Sequence, residues 1–374
     1  MLTRHDVLRL SRRPAGEHPV LSVFLDTSVN EVNQRTYRLF LDKERAKHSE
    51  LDSDRAGHHR EALGEAFERI ETWLAESFDE SNKGVALYTE IGGEWLDALQ
   101  FPVPVRNRIV ISNRPVIGPL AQIVEENPSH GVIVVDRERL RMLYVVLGQP
   151  LAEHDVTTDP YPTPHDVKAG GEAAKDLQKR KAEETRHFFK AFALEVAEFD
   201  RRYRPDDLIL LGAEENVSTF HEFLPHHLQD KVVHTEPAPP NPAASEVLAR
   251  LHPFFAAQRE QNEEQTVRVL RERVAQGHLT AAGIQGTLEQ LQEAKVDTLL
   301  LARDGHLLGS ACIRCGFLQA REDAACPYCG GRLEHGIDLA EAMIRLAVEQ
   351  DAAISFVAPE TLADLDGTGA LLKF

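Results

Sequence analysis

All the cysteines of this chain stand in one short segment, in two pairs with the spacing C-x2-C-x10-C-x2-C. They are Cys312, Cys315, Cys326 and Cys329. Two such pairs can bring four thiolates to one tetrahedral zinc ion, with Zn–S bonds of about 2.3 Å. The pattern therefore predicts a zinc ribbon over residues 310–333.

The predicted ribbon is too short to be held by a buried core, so metal binding must supply its folding free energy. Because protein thiolates fill all four coordination positions, the single Zn ion would be structural and not catalytic. Nearby His306 and His335 are then surface or supporting residues rather than ligands. Free thiols and disulfides are the alternatives, and disulfides are rare in cytosolic proteins.

Composition narrows the class of protein. The formal net charge of −18 argues against a protein that coats nucleic acid non-specifically, although it leaves room for a local basic patch. No apolar run approaches the ~20 residues of a transmembrane helix, and no secretory h-region follows the N-terminal MLTRHDVLRLSRRP. We expect a cytoplasmic protein with no membrane partner and no DNA partner.

Apolar runs and amphipathic stretches alternate along the chain. Buried strands are predicted at Val20–Asp26, Gly131–Asp136 and Asp207–Gly212. The stretch Ala173–Arg202 has helical periodicity. Its apolar face, which we expect in a core, carries Phe188, Phe189, Phe192, Val196 and Phe199. The predicted fold class is α/β (α+β), with mixed sheets and helices packed on their faces.

Three domains are predicted. Residues 1–128 would form an N-terminal α/β domain, residues 129–236 a middle domain, and residues 237–374 a C-terminal domain that contains the zinc ribbon. The second boundary falls at the proline-rich segment Glu236–Pro242, which is typical of a linker.

A glycine pair, Gly170 and Gly171, precedes Glu172 and the basic start of the long helix. Two adjacent glycines allow a backbone loop to enter a space where no Cβ fits. Between Lys168 and Lys190 there are seven Lys or Arg residues against four Asp or Glu, the reverse of the chain average. The candidate RNA contacts are Lys168, Lys175, Lys179, Arg180, Lys181 and Arg186. A solvated helix of mixed charge is the alternative.

This loop and helix resemble the Gly-Gly-Gln loop and basic helix of the archaeal and eukaryotic class-1 release factors and of Pelota. The chain is most similar to the bacterial and archaeal branch of that family, but with Gly-Gly-Glu, ending in Glu172, in place of the Gly-Gly-Gln loop. Ser129–Asp136, Leu208–Ala213, Ala294–Leu301 and the terminal Gly367–Phe374 also resemble family segments. The resemblance implies an RNase-H-like middle domain and an L7Ae-like C-terminal domain with the zinc ribbon inserted. It also implies that the protein binds the ribosome through rRNA. Further candidate partners are tRNA and a translational GTPase.

Two departures from the family pattern bear on function. The segment Arg45–Glu50 stands where the family has its Asn-Ile-Lys-Ser loop, and Ile109–Arg114 has no cysteine, so we expect no stop-codon recognition. Glu172 is the second departure. An ionised carboxylate only accepts hydrogen bonds, whereas a developing oxyanion needs donors.

The leading hypothesis is a factor that binds the aminoacyl-tRNA site of vacant or stalled ribosomes, in hibernation or rescue, without hydrolysis. The first alternative is an enzyme, a codon-independent peptidyl-tRNA hydrolase, with Glu172 or His165 as candidate general base. The second is a zinc-stabilised scaffold that no longer binds ribosomes.

Overall fold

The computed structural model describes residues 2–31, 33–51, 57–157, 172–321 and 323–373, and of residues 48–51, 57–59 and 172–185 it describes the backbone alone. The chain forms two compact units. One consists of Met1–Glu126 with Ala256–Phe374, and the other of Asn127–Phe255. The division into three domains stays a prediction.

The N-terminal part of the first unit is a four-stranded antiparallel sheet with helices. Its elements are α1 (Arg4–Ser11), β1 (Val20–Asp26), α2 (Tyr37–Leu51), α3 (Gly57–Glu76), β2 (Gly84–Glu90), β3 (Leu96–Phe101), β4 (Arg108–Ser112) and α4 (Gly118–Glu126). The strand order is β3-β2-β1-β4. Val23 and Leu87 pack against α2 and α3 on one face. On β2, the buried Tyr88 hydroxyl donates to the Val116 carbonyl at 2.8 Å.

The second unit is a five-stranded mixed sheet. Its elements are β5 (His130–Val135), β6 (Arg139–Val146), β7 (Gln149–Thr157), α5 (Glu172–Tyr203), β8 (Asp207–Gly212), α6 (Glu214–Phe223), α7 (His226–Gln229) and β9 (Val232–Pro237). The order is β7-β6-β5-β8-β9, antiparallel from β7 to β5 and parallel from β5 to β9. The predicted strand at Asp207–Gly212 and the predicted long helix are confirmed.

Helices cover both faces of this middle sheet. On one face Phe189, Phe192 and Phe199 of α5 are buried, as predicted, while Phe188 is partly buried. On the other face Val247 and Leu251, near the start of α8 (Ala244–Gln276), pack against the sheet. This burial on two sides explains why β5 and β8 read as continuous apolar runs.

The C-terminal part of the first unit has a second four-stranded sheet and the ribbon. Its elements after α8 are β10 (Thr280–Ala282), α9 (Gly283–Gln292), β11 (Val296–Ala302), β12 (Leu308–Cys312), β13 (Leu318–Gln319), β14 (Leu333–Asp338), α10 (Leu339–Glu349), β15 (Ala353–Val357), a 3-10 helix (Pro359–Leu365) and β16 (Thr368–Leu372). The sheet order is β10-β16-β11-β15, and the ribbon strands pair in the order β13-β12-β14.

A largely buried ion pair ties α10 to the N-terminal part of this unit. The Glu341 carboxylate accepts hydrogen bonds from the Ile117 and Gly118 N–H groups, both at 2.8 Å, at the start of α4. Arg345, one turn later, donates to the Ser11 and Pro115 carbonyls. Burial raises the pKa of Glu341 above its ordinary value, against the opposing effects of Arg345 and the two N–H groups.

The mixed α/β fold class with several sheets is thus confirmed. Among the described helices, none combines the length and the apolar character that crossing a bilayer requires.

Candidate metal centre and glycine loop

The four cysteines converge at one end of the ribbon sheet. Cys312 is the last residue of β12, and the second pair lies in the turns that precede β14. All four Sγ atoms lie within 4.8 Å of one another. The Sγ–Sγ distances are 3.5 Å from Cys312 to Cys329, 3.7 Å from Cys315 to Cys326 and 3.4 Å from Cys329 to Cys315.

These separations fit a tetrahedral metal site. With metal–sulphur bonds of about 2.3 Å, the edge of a sulphur tetrahedron is about 3.8 Å. A disulfide would instead hold two sulphurs at about 2.05 Å. All four side chains are free thiols, and together they could hold one metal ion.

Two turns of the same form position the thiols. The Gly316 N–H donates to the Cys312 carbonyl, and the Gly330 N–H donates to the Cys326 carbonyl, both at 2.9 Å. Gly316 and Gly330 have φ values of +74° and +67°, in the left-handed region that side chains with a Cβ disfavour. The glycines that follow each cysteine pair therefore close the two turns.

The electrostatics of the cluster favour a cation. A hydrogen bond from the Cys315 N–H is the largest cause that lowers the pKa of the Cys312 thiol to about 6. The pKa of Cys315 is raised to about 12, since contacts with neighbouring thiols, that of Cys329 first, outweigh the lowering effect of the Phe317 N–H. Four close thiolates repel one another, so a bound cation is needed to hold all of them deprotonated.

The predicted glycine loop lies between a strand of the middle sheet and a helix. β7 ends at Thr157, and α5 begins at Glu172. The N-terminal end of a helix favours negative charge, because its first N–H groups are free and its dipole is positive there. Four predicted site residues lie outside the described residues: His165, Lys168, Gly170 and Gly171.

The remaining basic candidates lie on α5. The structure gives only the backbone of positions 175, 179, 180 and 181, whereas Arg186 is described and exposed. At 100° per residue, positions 175, 179 and 186 fall on one helix face. Position 181 falls in line with the buried aromatic face instead. The five predicted contacts on α5 thus do not share one side of the helix.

The segment that replaces the family's codon-reading loop belongs to a regular helix. Arg45 lies on α2, and its guanidinium contacts both carboxylate oxygens of Glu71 on α3 at 2.9 Å. Glu68 lies 3.5 Å away from the same guanidinium. Arg45 therefore joins two helices.

The sequence reasoning missed the exposed residues of the ribbon. Tyr328, inside the second cysteine pair, is 82% exposed, and Ile313, inside the first, is 64% exposed. A residue between two metal ligands that are only three positions apart cannot reach a core. The spacing of the cysteines could therefore have predicted that these residues are exposed.

The middle of the chain is similar to a known protein family. Residues 115–256 match the model of the bacterial archaeo-eukaryotic release factor family 10. This range holds the whole middle sheet, α5 and the predicted glycine loop. By sequence, no curated protein matches the chain.

Solved structures with similar folds are release factors and relatives. The archaeal translation termination factor aRF1 is 16% identical over 100% of this chain and 99% of its own, with a TM-score of 0.26. Dom34 of S. cerevisiae, a translation termination-like factor, is 11% identical over 80% of this chain and 82% of its own, with a TM-score of 0.42. Archaeal Pelota, in a ribosome-bound complex with ABCE1, is 14% identical over 100% and 94%, with a TM-score of 0.39.

These TM-scores are below 0.5, so they carry no argument about this chain. The family model covers 142 of the 374 residues, and the similarity to the bacterial archaeo-eukaryotic release factor family therefore concerns residues 115–256.

Proposed function

We propose that the protein is a ribosome-associated factor that binds the aminoacyl-tRNA site of vacant or stalled ribosomes, in hibernation or rescue. The family match over residues 115–256 supports this most, because it spans the glycine loop and the elements that carry it. Its partners would be rRNA and, where present, tRNA.

The packing of α5 supports a role in positioning the loop. The helix has 32 residues, or about 48 Å at 1.5 Å per residue. Its C-terminal half is fixed to the sheet by Phe189, Phe192 and Phe199. The N-terminal half of α5 precedes these packed residues and follows the predicted glycine loop in the chain. The basic positions 175, 179 and 186 would then face phosphates.

We propose that the factor neither reads stop codons nor hydrolyses peptidyl-tRNA. Arg45 holds two helices together in the segment that replaces the codon-reading loop. Glu172 offers no hydrogen-bond donor when ionised. Hydrolysis with Glu172 or His165 as general base is the second candidate function.

We propose zinc as the metal of the ribbon, since four thiolates at tetrahedral spacing suit Zn²⁺. The ion would be structural. A translational GTPase as a further partner is supported by the family resemblance alone.

Sedimentation with purified ribosomes tests the proposal. The protein should pellet with vacant ribosomes, and a tRNA bound in the aminoacyl site should displace it. A protein that pellets equally with both would bind elsewhere, and one that pellets with neither would fit the scaffold alternative.

A release assay separates binding from hydrolysis. Ribosomes loaded with labelled peptidyl-tRNA should release no peptide above background with the wild type. Glu172→Ala should behave in the same way, and Glu172→Gln would restore the amide that the family carries. Release by the wild type that Glu172→Ala abolishes would contradict the proposal and establish the hydrolase.

A further inference from the structure

The metal end of the ribbon presents an exposed surface that the proposed function does not use. We call it the ribbon tip and define it as Ile313, Arg314, Tyr328 and Arg332. All four side chains are exposed, Tyr328 most of all at 82%. These residues lie on the two turns that hold the thiols.

Tyr328 is oriented by its place in the cysteine turn and by one ring contact. It stands between Cys326 and Cys329, so its backbone is held by the turn that forms the metal site. Its ring stacks on that of Phe317, with centroids 5.4 Å apart and planes at 27°. Phe317 packs in turn against the small core of the ribbon. Phe317 therefore contacts one side of the tyrosine ring, while most of the side chain is exposed to solvent.

Two arginines lie on adjoining segments of the tip. The Ile313 N–H donates to the Arg332 carbonyl at 3.1 Å. A Cβ on Gly331 would lie 3.0 Å from the Arg314 Cβ, so the two turns touch there. Within the described part of the chain, neither the Arg314 nor the Arg332 guanidinium forms an ion pair, whereas Arg303 pairs with two carboxylates.

We propose that the ribbon tip binds single-stranded RNA, with an unpaired base on the open face of Tyr328 and with Arg314 and Arg332 on adjacent phosphates. Aromatic rings and arginine planes are the groups that hold unstacked bases and their backbone. The inference rests on the proposed function for its natural ligand, ribosomal RNA, but not for RNA binding itself.

Stacking should contribute more to this binding than charge. The ribbon has three arginines, Arg314, Arg321 and Arg332, against Glu322 and Asp323. A zinc ion with four thiolates adds a formal charge of about −2. Because these charges nearly cancel, we expect a shallow salt dependence that reflects two phosphate contacts.

The test measures fluorescence anisotropy of a labelled ten-nucleotide oligoadenylate with full-length, zinc-loaded protein. Tyr328→Ala should weaken binding about 5- to 150-fold, the value of one lost base stack. Tyr328→Phe should bind as the wild type does. Arg314→Gln with Arg332→Gln should reduce the salt slope by about 1.4, at about 0.7 for each contact with a single strand.

Leu308→Ala is the matched control, since Leu308 is 66% exposed on the same ribbon but lies at the far end of β12. It should leave RNA affinity unchanged. Each variant should keep one zinc ion per chain, which shows that the ribbon is folded. Wild-type affinity in Tyr328→Ala, or an equal loss in Leu308→Ala, would overturn the inference.

Ribosome sedimentation of the same variants separates this inference from the proposed function. If the wild type pellets with ribosomes but does not bind the oligonucleotide, the inference fails and the function stands. If it binds the oligonucleotide but not ribosomes, the function fails and the inference stands. If Tyr328→Ala loses ribosome binding at unchanged oligonucleotide affinity, the tip contacts a ribosomal protein, and the RNA assignment is overturned.

Discussion

The ribbon and the middle unit are both candidate RNA-binding regions, but different forces hold them. Among the described residues of the ribbon, only Cys312, Cys326 and Leu333 form its buried apolar core, so we expect its fold to depend on a bound metal ion. The middle unit has an apolar core on each face of a five-stranded sheet. In the ribbon, the cysteines that could hold a metal ion also lie in the turns that carry the exposed tip. In the middle unit, the packed residues and the candidate contacts are different residues, so variants in the two regions should behave differently.

Loss of a metal ligand should have the largest effect. Cys326→Ser should lower the zinc content from one ion per chain to none, because apparent binding free energies of structural zinc sites are about 10–16 kcal/mol. Residues 310–333 should become sensitive to protease while the middle unit stays resistant. Zinc analysis and limited proteolysis measure this.

The control for that prediction is His335→Ala. The His335 ring contacts the Ser310 hydroxyl at 2.8 Å, beside the ribbon but outside the thiol cluster. Full zinc content is expected. Loss of zinc in this variant would show that the ribbon does not depend on its thiols alone.

Truncation in the core of the middle unit should have the next largest effect. Phe192→Ala removes a fully buried ring from α5 and should lower the free energy of unfolding by about 3–5 kcal/mol, at unchanged zinc content. Leu194, two residues along, is 73% exposed, and Leu194→Ala should change it by no more than about 0.5 kcal/mol. Urea unfolding gives both values, and equal losses would contradict the packing described for α5.

A matched pair of glycines gives the smallest and sharpest contrast. Gly330 in the ribbon and Gly148 in the β6–β7 turn have φ values of +67° and +69°, and a Cβ at either would meet no atom within 4 Å. Alanine at each should therefore cost only backbone strain, about 1–2 kcal/mol. Gly330→Ala should weaken zinc affinity about 5- to 30-fold, whereas Gly148→Ala should leave zinc affinity unchanged and lower the urea midpoint. Unchanged zinc affinity in Gly330→Ala together with weakened zinc affinity in Gly148→Ala would contradict the comparison.

Apolar patterning predicted elements with a continuous apolar run or a regular apolar face. The strand at Val20–Asp26 has the bounds read from the sequence. The long helix was predicted at Ala173–Arg202 and spans Glu172–Tyr203. The strand is marked by its unbroken apolar run, and the helix by the regular spacing of the aromatic residues on its buried face.

Elements that depend on tertiary contacts were missed. β9 runs into the segment interpreted as a linker, and its residues alternate between half-buried and exposed at the edge of the sheet. Pro237 is its last residue, a position where a strand tolerates proline. The helix Arg4–Ser11 was also missed, although Thr3 and Asp6 form a capping box whose spacing is visible in the sequence.

For the candidate sites, the cysteine spacing predicted a cluster that the structure brings together. The glycine loop lies outside the described residues, so its role stays a prediction. The exposed tip of the ribbon was not predicted, although the two-residue spacing inside each cysteine pair was a signal for the exposure of Ile313 and Tyr328.

Binding to ribosomes across a salt series tests the central claim most directly. The variants are Lys175→Glu with Lys179→Glu, on one face near the start of α5, and the control Arg201→Glu with Arg202→Glu, exposed at its other end. The wild type and the control should bind alike, and the first variant should bind more weakly, with a salt slope smaller by about 1.4–1.8 for two lost phosphate contacts. Equal binding by all three proteins, or no binding by the wild type, would contradict the account.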